Sequence, residues 1–135
     1  MKKLVLLLLV LFSLFSFAKE VNIVILETSD LHGRLFSYDY AIDQVDSSAG
    51  LTKVATIIKE ERAKNKNLIL ADNGDTVQDN NAELFNSMPI HPMIQGLNDL
   101  KYDFWTLGNH EFNYGLNIIL FFENLIYKPS HFQIN

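Results

Sequence analysis

Three short apolar runs, each followed by a cluster of polar residues, constrain the fold of this chain more than any other feature of its sequence. The runs are residues 21–27, 67–71 and 102–107, and their β-branched and aromatic side chains are typical of buried strands. A segment with helical spacing of apolar residues begins at Gly50 and separates the first two runs. Shorter helices are predicted over residues 82–87 and 92–100. Strands that alternate with helices predict an α/β fold with a parallel sheet.

Residues that can bind a metal follow each of the three predicted strands. Since the carboxyl ends of parallel strands meet at one edge of a sheet, where α/β proteins bind ligands, we expect these residues to face a common crevice. A glycine in each turn allows a sharp bend or the close approach of a ligand. The residues are Asp30 and His32 after the first strand, Asp75 after the second, and Asn109 and His110 after the third.

The chemistry of these side chains favours two divalent cations, with Mn, Zn, Co, Fe and Mg all left open. Asp75 has two carboxylate oxygens and can bridge two ions. Two cations about 3.5–4 Å apart can activate water and stabilise the leaving oxygen in a displacement at phosphorus. His110 could donate a proton or hydrogen bond to the phosphoryl or leaving oxygen. Glu111 is interpreted as a carboxylate at the start of a helix, not as a ligand.

The composition narrows the possible ligands and partners. The chain has no cysteine, so a thiolate metal site, an iron–sulfur cluster and a cysteine nucleophile are all excluded. Any metal must therefore be held by Asp, His, Glu or Asn. The formal net charge of −5 argues against binding to a nucleic-acid polymer, because such proteins are normally basic.

Residues 1–18 have the form of a Sec-type signal peptide. Lys2 and Lys3 provide the positive start, an uncharged and mostly apolar run follows, and Ser16 and Ala18 place small side chains at a cleavage site. This run is shorter than the roughly 20 residues that a membrane-spanning helix needs. We expect cleavage before Lys19, a periplasmic or secreted protein, and no stable membrane insertion afterwards. A membrane-anchored module is the alternative if the run persists in the mature chain.

The segments TSDLHG, DNGD and GNHEFNYG resemble the first three signature blocks of the calcineurin-like metallophosphoesterases, and in particular the exported nucleotidase branch. The resemblance is strongest to the 2′,3′-cyclic-nucleotide 2′-phosphodiesterase/3′-nucleotidase type. It implies that Asp30 and His32 bind one metal, that Asp75 bridges two metals and that Asn109 binds the second. It also implies that His110 assists at the phosphate of a nucleotide substrate. The implied fold is a four-layered α/β/β/α sandwich followed by a separate nucleotide-binding domain.

Two departures from this family pattern leave alternatives open. The 5′-nucleotidase relatives have an aspartate three residues after the catalytic histidine, whereas this chain has Asn113, which favours the cyclic-phosphodiesterase type over a 5′-nucleotidase type. The later histidine blocks of the family are missing, since His91 and His131 lack that context. We interpret His91 as a loop residue ahead of a helix and His131 as exposed.

The expected organisation is therefore a signal peptide over residues 1–18 and the N-terminal portion of a metallophosphoesterase domain over residues 19–135, with the C-terminal nucleotide-binding domain absent. A catalytically inactive fragment is the competing interpretation. Arg34 is expected to be a surface loop residue, and Tyr38 and Tyr40 are expected to pack rather than to bind the substrate. The sequence does not indicate an oligomeric state.

Overall fold

The fold is built on a three-stranded parallel sheet with a small antiparallel hairpin beside it. The computed structural model describes residues 19–126; the predicted signal peptide, His131 and the remainder of the chain after residue 126 lie outside the described residues. The elements in chain order are β1 (Val24–Thr28), β2 (Tyr38–Asp39), β3 (Gln44–Val45), α1 (Leu51–Lys64), β4 (Leu68–Asp72), a 3₁₀ helix (Ala82–Phe85), α2 (Pro92–Asp99), β5 (Phe104–Trp105), a second 3₁₀ helix (Glu111–Tyr114) and α3 (Leu116–Leu125).

The sheet has the order β1-β4-β5, and all of its strands are parallel. β1 pairs with β4 from Val24↔Leu68 to Thr28↔Asp72, and β4 pairs with β5 at Ala71↔Phe104 and Asp72↔Trp105. The carboxyl ends of the three strands therefore lie along one edge. This confirms the predicted α/β class and places the three polar turns side by side.

The helices cover one face of the sheet. The chain crosses from β1 to β4 and from β4 to β5 in the same direction, so right-handed crossovers bring α1 and α2 to the same face. α3 joins them through a second cluster of buried side chains, and Trp105 packs against both clusters. The buried members are Leu51, Ile58, Leu70, Ala82, Met93, Leu97 and Tyr102 in the first cluster, and Val77, Ile94 and Phe122 in the second.

The other face of the sheet is apolar and exposed. Side chains alternate between faces along a strand, so Leu26 packs against the core whereas Ile25 is 66% exposed. Phe104 of β5 is 40% exposed on the same face. Within residues 19–126 the sheet thus has helices on one side only, and the second sheet of the expected four-layered sandwich is not formed by this part of the chain.

The predicted helices are found with small changes at their ends. The helix predicted from Gly50 begins at Leu51, and the helix predicted over residues 92–100 ends at Asp99 with Pro92 in its first turn, where a missing N–H costs no hydrogen bond. The segment predicted as a short helix over residues 82–87 is a single 3₁₀ turn. The third strand is shorter than predicted, because only Phe104 and Trp105 pair with β4.

The β2–β3 hairpin is an element that the sequence did not predict. It is closed by Arg34, whose guanidinium donates to Asp39 at 2.8 Å and to Asp46. Each strand has only two residues, too few for the alternation that signals a strand. Tyr38 and Tyr40 pack against each other with ring centroids 4.9 Å apart, in line with the packing role expected for them.

None of the helices formed by residues 19–126 has the length and apolar character needed to cross a membrane.

Candidate metal centre at the strand ends

Main-chain hydrogen bonds join the turn after β1 to the turn after β4. Asp30 N donates to Gly74 O (3.1 Å), His32 N to Asp75 O (2.9 Å) and Gly33 N to Thr76 O (2.9 Å). The two turns therefore run side by side, with three hydrogen bonds fixing their relative position. This arrangement holds the side chains of Asp30 and His32 next to that of Asp75.

His32, Asp75 and His110 form a group in which one ligand atom from each residue lies within 4.8 Å of the others. Asp30 extends the group, because its Oδ1 lies 3.7 Å from His32 Nε2. Ligand atoms at about 2.0–2.2 Å from one cation can be up to about 4 Å apart, so a single divalent cation could contact both. The structure thus brings together residues from all three predicted turns.

Three of these residues have left-handed backbone conformations. The φ angles are +55° at Asp30, +44° at His32 and +55° at Asp75. Residues other than glycine adopt such angles rarely. Clusters of them are typical of functional sites, where contacts with the surrounding structure maintain the strained backbone. Here the bonds between the two turns supply that restraint.

The turn after β5 closes on Asp75. His110 N donates to Asp75 Oδ1 at 2.9 Å, and a Cβ atom placed on Gly108 would lie 2.2 Å from the same oxygen. A Cβ on Gly74 would lie 2.1 Å from Gly108 N. Only glycine at these two positions permits the contact, which explains in physical terms the glycines that the sequence places in both turns.

Asn109 lies between two residues whose main-chain N–H groups are engaged, Gly108 with Glu111 and His110 with Asp75. Its backbone is therefore held at the site, and the residue is exposed. His110, predicted as a catalytic residue, lies within the His32–Asp75 group itself, with its ring centroid 5.3 Å from that of His32.

Glu111 is the residue at this site that sequence analysis undervalued. It is fully buried and begins the second 3₁₀ helix, as expected for a helix-start carboxylate. Its Oε2 accepts from Asp75 N and Gly108 N, both at 2.8 Å, and its Oε1 accepts from Thr76 N (2.7 Å) and Val77 N (3.3 Å). One carboxylate thus holds the turns after β4 and β5 together.

A second buried carboxylate, Asp72, lies at the end of the central strand. It accepts from the hydroxyls of Thr28 and Thr76, both at 2.6 Å, and from Gly74 N at 3.1 Å. Burial raises the pKa of Asp72, and these hydrogen bonds oppose the rise. The Thr28 hydroxyl also meets Tyr102 Oη at 3.0 Å, and burial raises the pKa of Tyr102 to about 12. These hydrogen bonds join the carboxyl ends of β1 and β4, from which the turns of the site begin.

Two histidine rings at the site are held by neighbouring side chains. His110 Nδ1 lies 3.1 Å from the amide nitrogen of Asn113, which also donates to Gln78 Oε1 at 2.6 Å. His32 Nδ1 lies 2.8 Å from Asp79 Oδ2. Asn113 was singled out from the sequence, whereas Gln78 and Asp79 carry no motif that would have identified them.

A cleft of about 570 Å³ opens beside this group and is lined by Asp30, His32, Arg34 and Asp79, among others. Its size falls within the range of small-molecule sites. Arg34 contributes to the wall, but its guanidinium is engaged by Asp39 and Asp46. The hydrogen bond from Ser48 lowers the pKa of Asp46, so this carboxylate stays charged.

The donor set suits a divalent metal. It combines carboxylate and imidazole groups, which bind hard or borderline cations, and an open cleft with an acidic lining lies beside it. Metal-bound histidines usually have a hydrogen-bonding partner on the other ring nitrogen, and Asp79 lies in this position beside His32 Nδ1.

The sequence matches the calcineurin-like phosphoesterase family over residues 23–134, and the chain belongs to this family. It is 40% identical over 114 residues to the trifunctional nucleotide phosphoesterase protein YfkN of Bacillus subtilis, covering 77% of this chain and 8% of YfkN. The crystal structure of calcineurin-like phosphoesterase YfkN from the same organism is similar, with a TM-score of 0.70 and 38% identity over 79% of this chain and 35% of that chain.

Two further relatives carry nucleotidase names. The chain is 40% identical over 106 residues to the 2′,3′-cyclic-nucleotide 2′-phosphodiesterase/3′-nucleotidase of Haemophilus influenzae, covering 74% of this chain and 16% of the relative. It is 36% identical over 102 residues to the snake venom 5′-nucleotidase of Naja atra, covering 73% of this chain and 19% of the relative. The chain spans less than a fifth of the length of these curated relatives.

Proposed function

We propose that this chain forms the metal-binding part of a phosphoester hydrolase that acts on nucleotides, of the 2′,3′-cyclic-nucleotide 2′-phosphodiesterase/3′-nucleotidase type. The observation that carries the proposal is the convergence of His32, Asp75 and His110 within 4.8 Å at the carboxyl ends of three parallel strands. Membership of the calcineurin-like phosphoesterase family supports it. A nucleotide is the proposed partner, and binding to a nucleic-acid polymer is not expected of an acidic chain.

Asp30, His32, Asp75 and Asn109 are the residues that would hold two divalent cations, with Asp75 shared between them. When bound, the cations would supply positive charge to the phosphoryl oxygens and lower the pKa of the attacking water. The chain itself contributes orientation: Asp75 is fixed by the hydrogen bond that its Oδ1 accepts from His110 N. The same bond fixes the main chain from which the His110 ring projects.

His110 is the proposed catalytic residue, which would donate a hydrogen bond to the phosphoryl or leaving oxygen. Asn113 faces His110 Nδ1 with its amide nitrogen, because the same NH₂ group donates to Gln78 Oε1. Nδ1 then acts as the acceptor, and the ring proton lies on Nε2, available for the phosphoryl or leaving oxygen. Gln78 and Asn113 would thus select the tautomer that the reaction requires.

The cyclic-phosphodiesterase type is favoured over the 5′-nucleotidase type by Asn113. An amide can donate to the His110 ring but cannot take up a proton or supply a charge, as an aspartate at this position would. A 2′,3′-cyclic phosphate would be opened first, and the 3′-monophosphate would then be hydrolysed. The 40% identity to the Haemophilus influenzae relative agrees with this choice.

The finer architecture and location belong to the same proposal. The exposed apolar face with Ile25 and Phe104 is where the second sheet of a four-layered sandwich would pack. The sequence of residues 1–18 supports export with cleavage before Lys19. N-terminal sequencing of the mature chain that begins at Met1 would contradict this part of the proposal.

The test is hydrolysis of bis(4-nitrophenyl) phosphate by the purified chain with Mn²⁺ or Co²⁺, followed by 2′,3′-cyclic AMP, 3′-AMP and 5′-AMP. Asp75→Asn should abolish turnover. Asp99→Asn is the matched control, because Asp99 is an exposed residue of α2 that precedes the amino end of β5, opposite the site. Turnover that survives in Asp75→Asn would refute the proposed site. Absence of turnover from the wild-type chain with either metal would refute the proposed activity and favour an inactive fragment.

A further inference from the structure

We propose that Asp79 is a positioning residue that orients His32 toward the metal, an inference that rests on the proposed metal centre and deepens it. Asp79 Oδ2 lies 2.8 Å from His32 Nδ1, although the two residues are 47 positions apart in the chain. The other ring nitrogen, Nε2, faces Asp30 Oδ1 at 3.7 Å. Each nitrogen of the His32 ring therefore has a separate role.

The chemistry of the pair assigns those roles. An ionised carboxylate only accepts hydrogen bonds, so Asp79 requires the proton of a neutral His32 ring to be on Nδ1. The lone pair of Nε2 is then free and directed toward Asp30, on the side where Asp75 and His110 converge. Without the carboxylate, the ring could place its proton on Nε2 and rotate, and either change would remove the donor atom.

The backbone around Asp79 is held in an unusual conformation. Asp79, Asn80 and Asn81 are three consecutive non-glycine residues with left-handed φ angles, +65°, +49° and +65°. The Asn80 side chain anchors the loop to the hairpin, because its Oδ1 accepts from Tyr40 N (2.7 Å) and its Nδ2 donates to Tyr38 O (3.0 Å). The hairpin thus holds the loop in place next to Asp79.

The loop also presses directly against the turn that carries His32. A Cβ atom on Gly33 would lie 2.2 Å from Asp79 O and 2.6 Å from the Ala82 side chain. Gly33 is itself in a left-handed conformation, with φ +66°. The glycine next to His32 therefore permits the approach that places the Asp79 carboxylate against the ring.

Because Asp79 has a left-handed φ angle, replacing it with glycine can distinguish a role in folding from a role in positioning His32. Glycine adopts φ +65° without steric cost, so a residue that served folding alone would be improved by Asp79→Gly. Aspartate tolerates this angle better than most residues, and the contact of its carboxylate with His32 is what distinguishes it from Asn81 at the same angle. That side chain is 57% exposed, so its bond to His32 is only partly shielded from water. We accordingly expect an effect at the low end of the range for partners of metal-bound histidines, which is about 10–100-fold in metal affinity.

The experiment compares Asp79→Gly with Asn81→Gly in the full chain. Both variants replace a residue at φ +65° by glycine, but Asn81 is an exposed residue outside the metal centre. Co²⁺ affinity is measured by the visible absorption of the bound ion, and urea unfolding is followed in the metal-free protein. Asp79→Gly should unfold at the wild-type urea midpoint or above it, yet bind Co²⁺ about 10-fold more weakly. Asn81→Gly should bind as the wild type does.

Two further measurements isolate the proposed cause. Asp79→Asn can still accept the Nδ1 proton through its side-chain oxygen, so it should recover most of the affinity that Asp79→Gly loses. Long-range ¹H–¹⁵N NMR of the metal-free protein at pH 7.5, with the His32 signals identified by a His32→Gln variant, should show the proton on Nδ1 in the wild type. The same spectrum of Asp79→Gly should show a mixture of tautomers.

The inference is overturned if Asp79→Gly binds Co²⁺ as tightly as the wild type, if Asn81→Gly loses as much affinity, or if the His32 tautomer is the same in both metal-free proteins. Failure of the proposed function is a different result, in which the wild-type chain binds no Co²⁺ and His32→Gln changes nothing. The tautomer spectra would still decide whether Asp79 orients the ring in that case.

Discussion

The Glu111 carboxylate accepts a hydrogen bond from the main chain of Asp75, 36 positions away in the sequence, with 2.8 Å between Asp75 N and Glu111 Oε2. The same group binds Gly108 N, Thr76 N and Val77 N, so four otherwise unpaired donors of two turns meet on one buried side chain. Asp75 is the residue proposed to be shared between two cations. Its position therefore depends on a carboxylate that would not itself touch the metal.

Replacing Glu111 with Gln should lower the free energy of unfolding by about 2–4 kcal/mol. The amide keeps one acceptor oxygen but turns an NH₂ group toward two of the four main-chain donors, which leaves buried donors facing each other. Urea unfolding followed by circular dichroism measures the loss. Glu83→Gln is the matched control, since Glu83 is an exposed residue in the first turn of the other 3₁₀ helix, and it should change stability by less than about 0.5 kcal/mol. Equal effects of the two changes would contradict the role assigned to Glu111.

Gly108→Ala should impair both metal binding and stability. The added Cβ would lie 2.2 Å from Asp75 Oδ1 and 2.5 Å from Asp75 N, so Asp75 must move away from its present position. We expect Co²⁺ affinity to fall at least about 10-fold, the loss that follows when the support of a metal ligand is altered. Gly115→Ala provides the contrast: its Cβ would meet nothing within 4 Å, although φ is +80°. That variant should lose about 1 kcal/mol of stability through backbone strain and bind Co²⁺ normally.

The stability of the chain should fall between about pH 6.5 and pH 4 because of His91. This ring is 1% exposed, and neither nitrogen has a well-formed hydrogen bond among the described residues. Burial lowers the pKa of His91 to about 4, against a weaker opposing effect of the Ala82 main chain. A histidine whose pKa is lowered by folding takes up a proton more readily in the unfolded chain. Its contribution to the free energy of unfolding is therefore fully present above the pKa of the unfolded chain and is lost as the pH falls. The free energy of unfolding should fall by roughly 3 kcal/mol over this range.

His91→Phe should remove this pH dependence. Phenylalanine keeps the edge contacts that the ring makes with Phe85 and Phe122 and cannot be protonated. Urea midpoints measured from pH 7.5 to pH 4.5 should decline less steeply in the variant than in the wild type. Parallel pH profiles for the two proteins would show that other groups cause the decline.

Mn²⁺ should stabilise the folded chain, and a chelator should reverse the effect. A ligand that binds only the folded state at 100 times its dissociation constant adds about 2.7 kcal/mol. The thermal midpoint with Mn²⁺ should therefore rise in the wild type and in Asp99→Asn, and stay unchanged in Asp75→Asn. A rise of equal size in all three proteins would place the bound metal elsewhere in the chain.

The sequence by itself determined the class of the fold and the residues that meet at the candidate site. Short apolar runs that alternate with helical segments indicate parallel strands, because a helix between two strands provides the crossover that parallel pairing requires. Placing Asp30, Asp75 and His110 directly after three successive strands is enough to bring them to one edge. These are consequences of local periodicity and chain order, and both can be worked out from the residues alone.

Only the tertiary structure decided which side chains support that site. Glu111, Asp72 and Asp79 act on partners 36, 44 and 47 positions away, respectively. Nothing in their local sequence distinguishes them from ordinary turn or helix-start carboxylates. Their roles arise from the left-handed turns and the close glycine contacts at Gly33 and Gly108, which set how near the chain segments approach. A hydrogen bond depends on tenths of an ångström and on direction, and those quantities exist only once the strands are packed side by side.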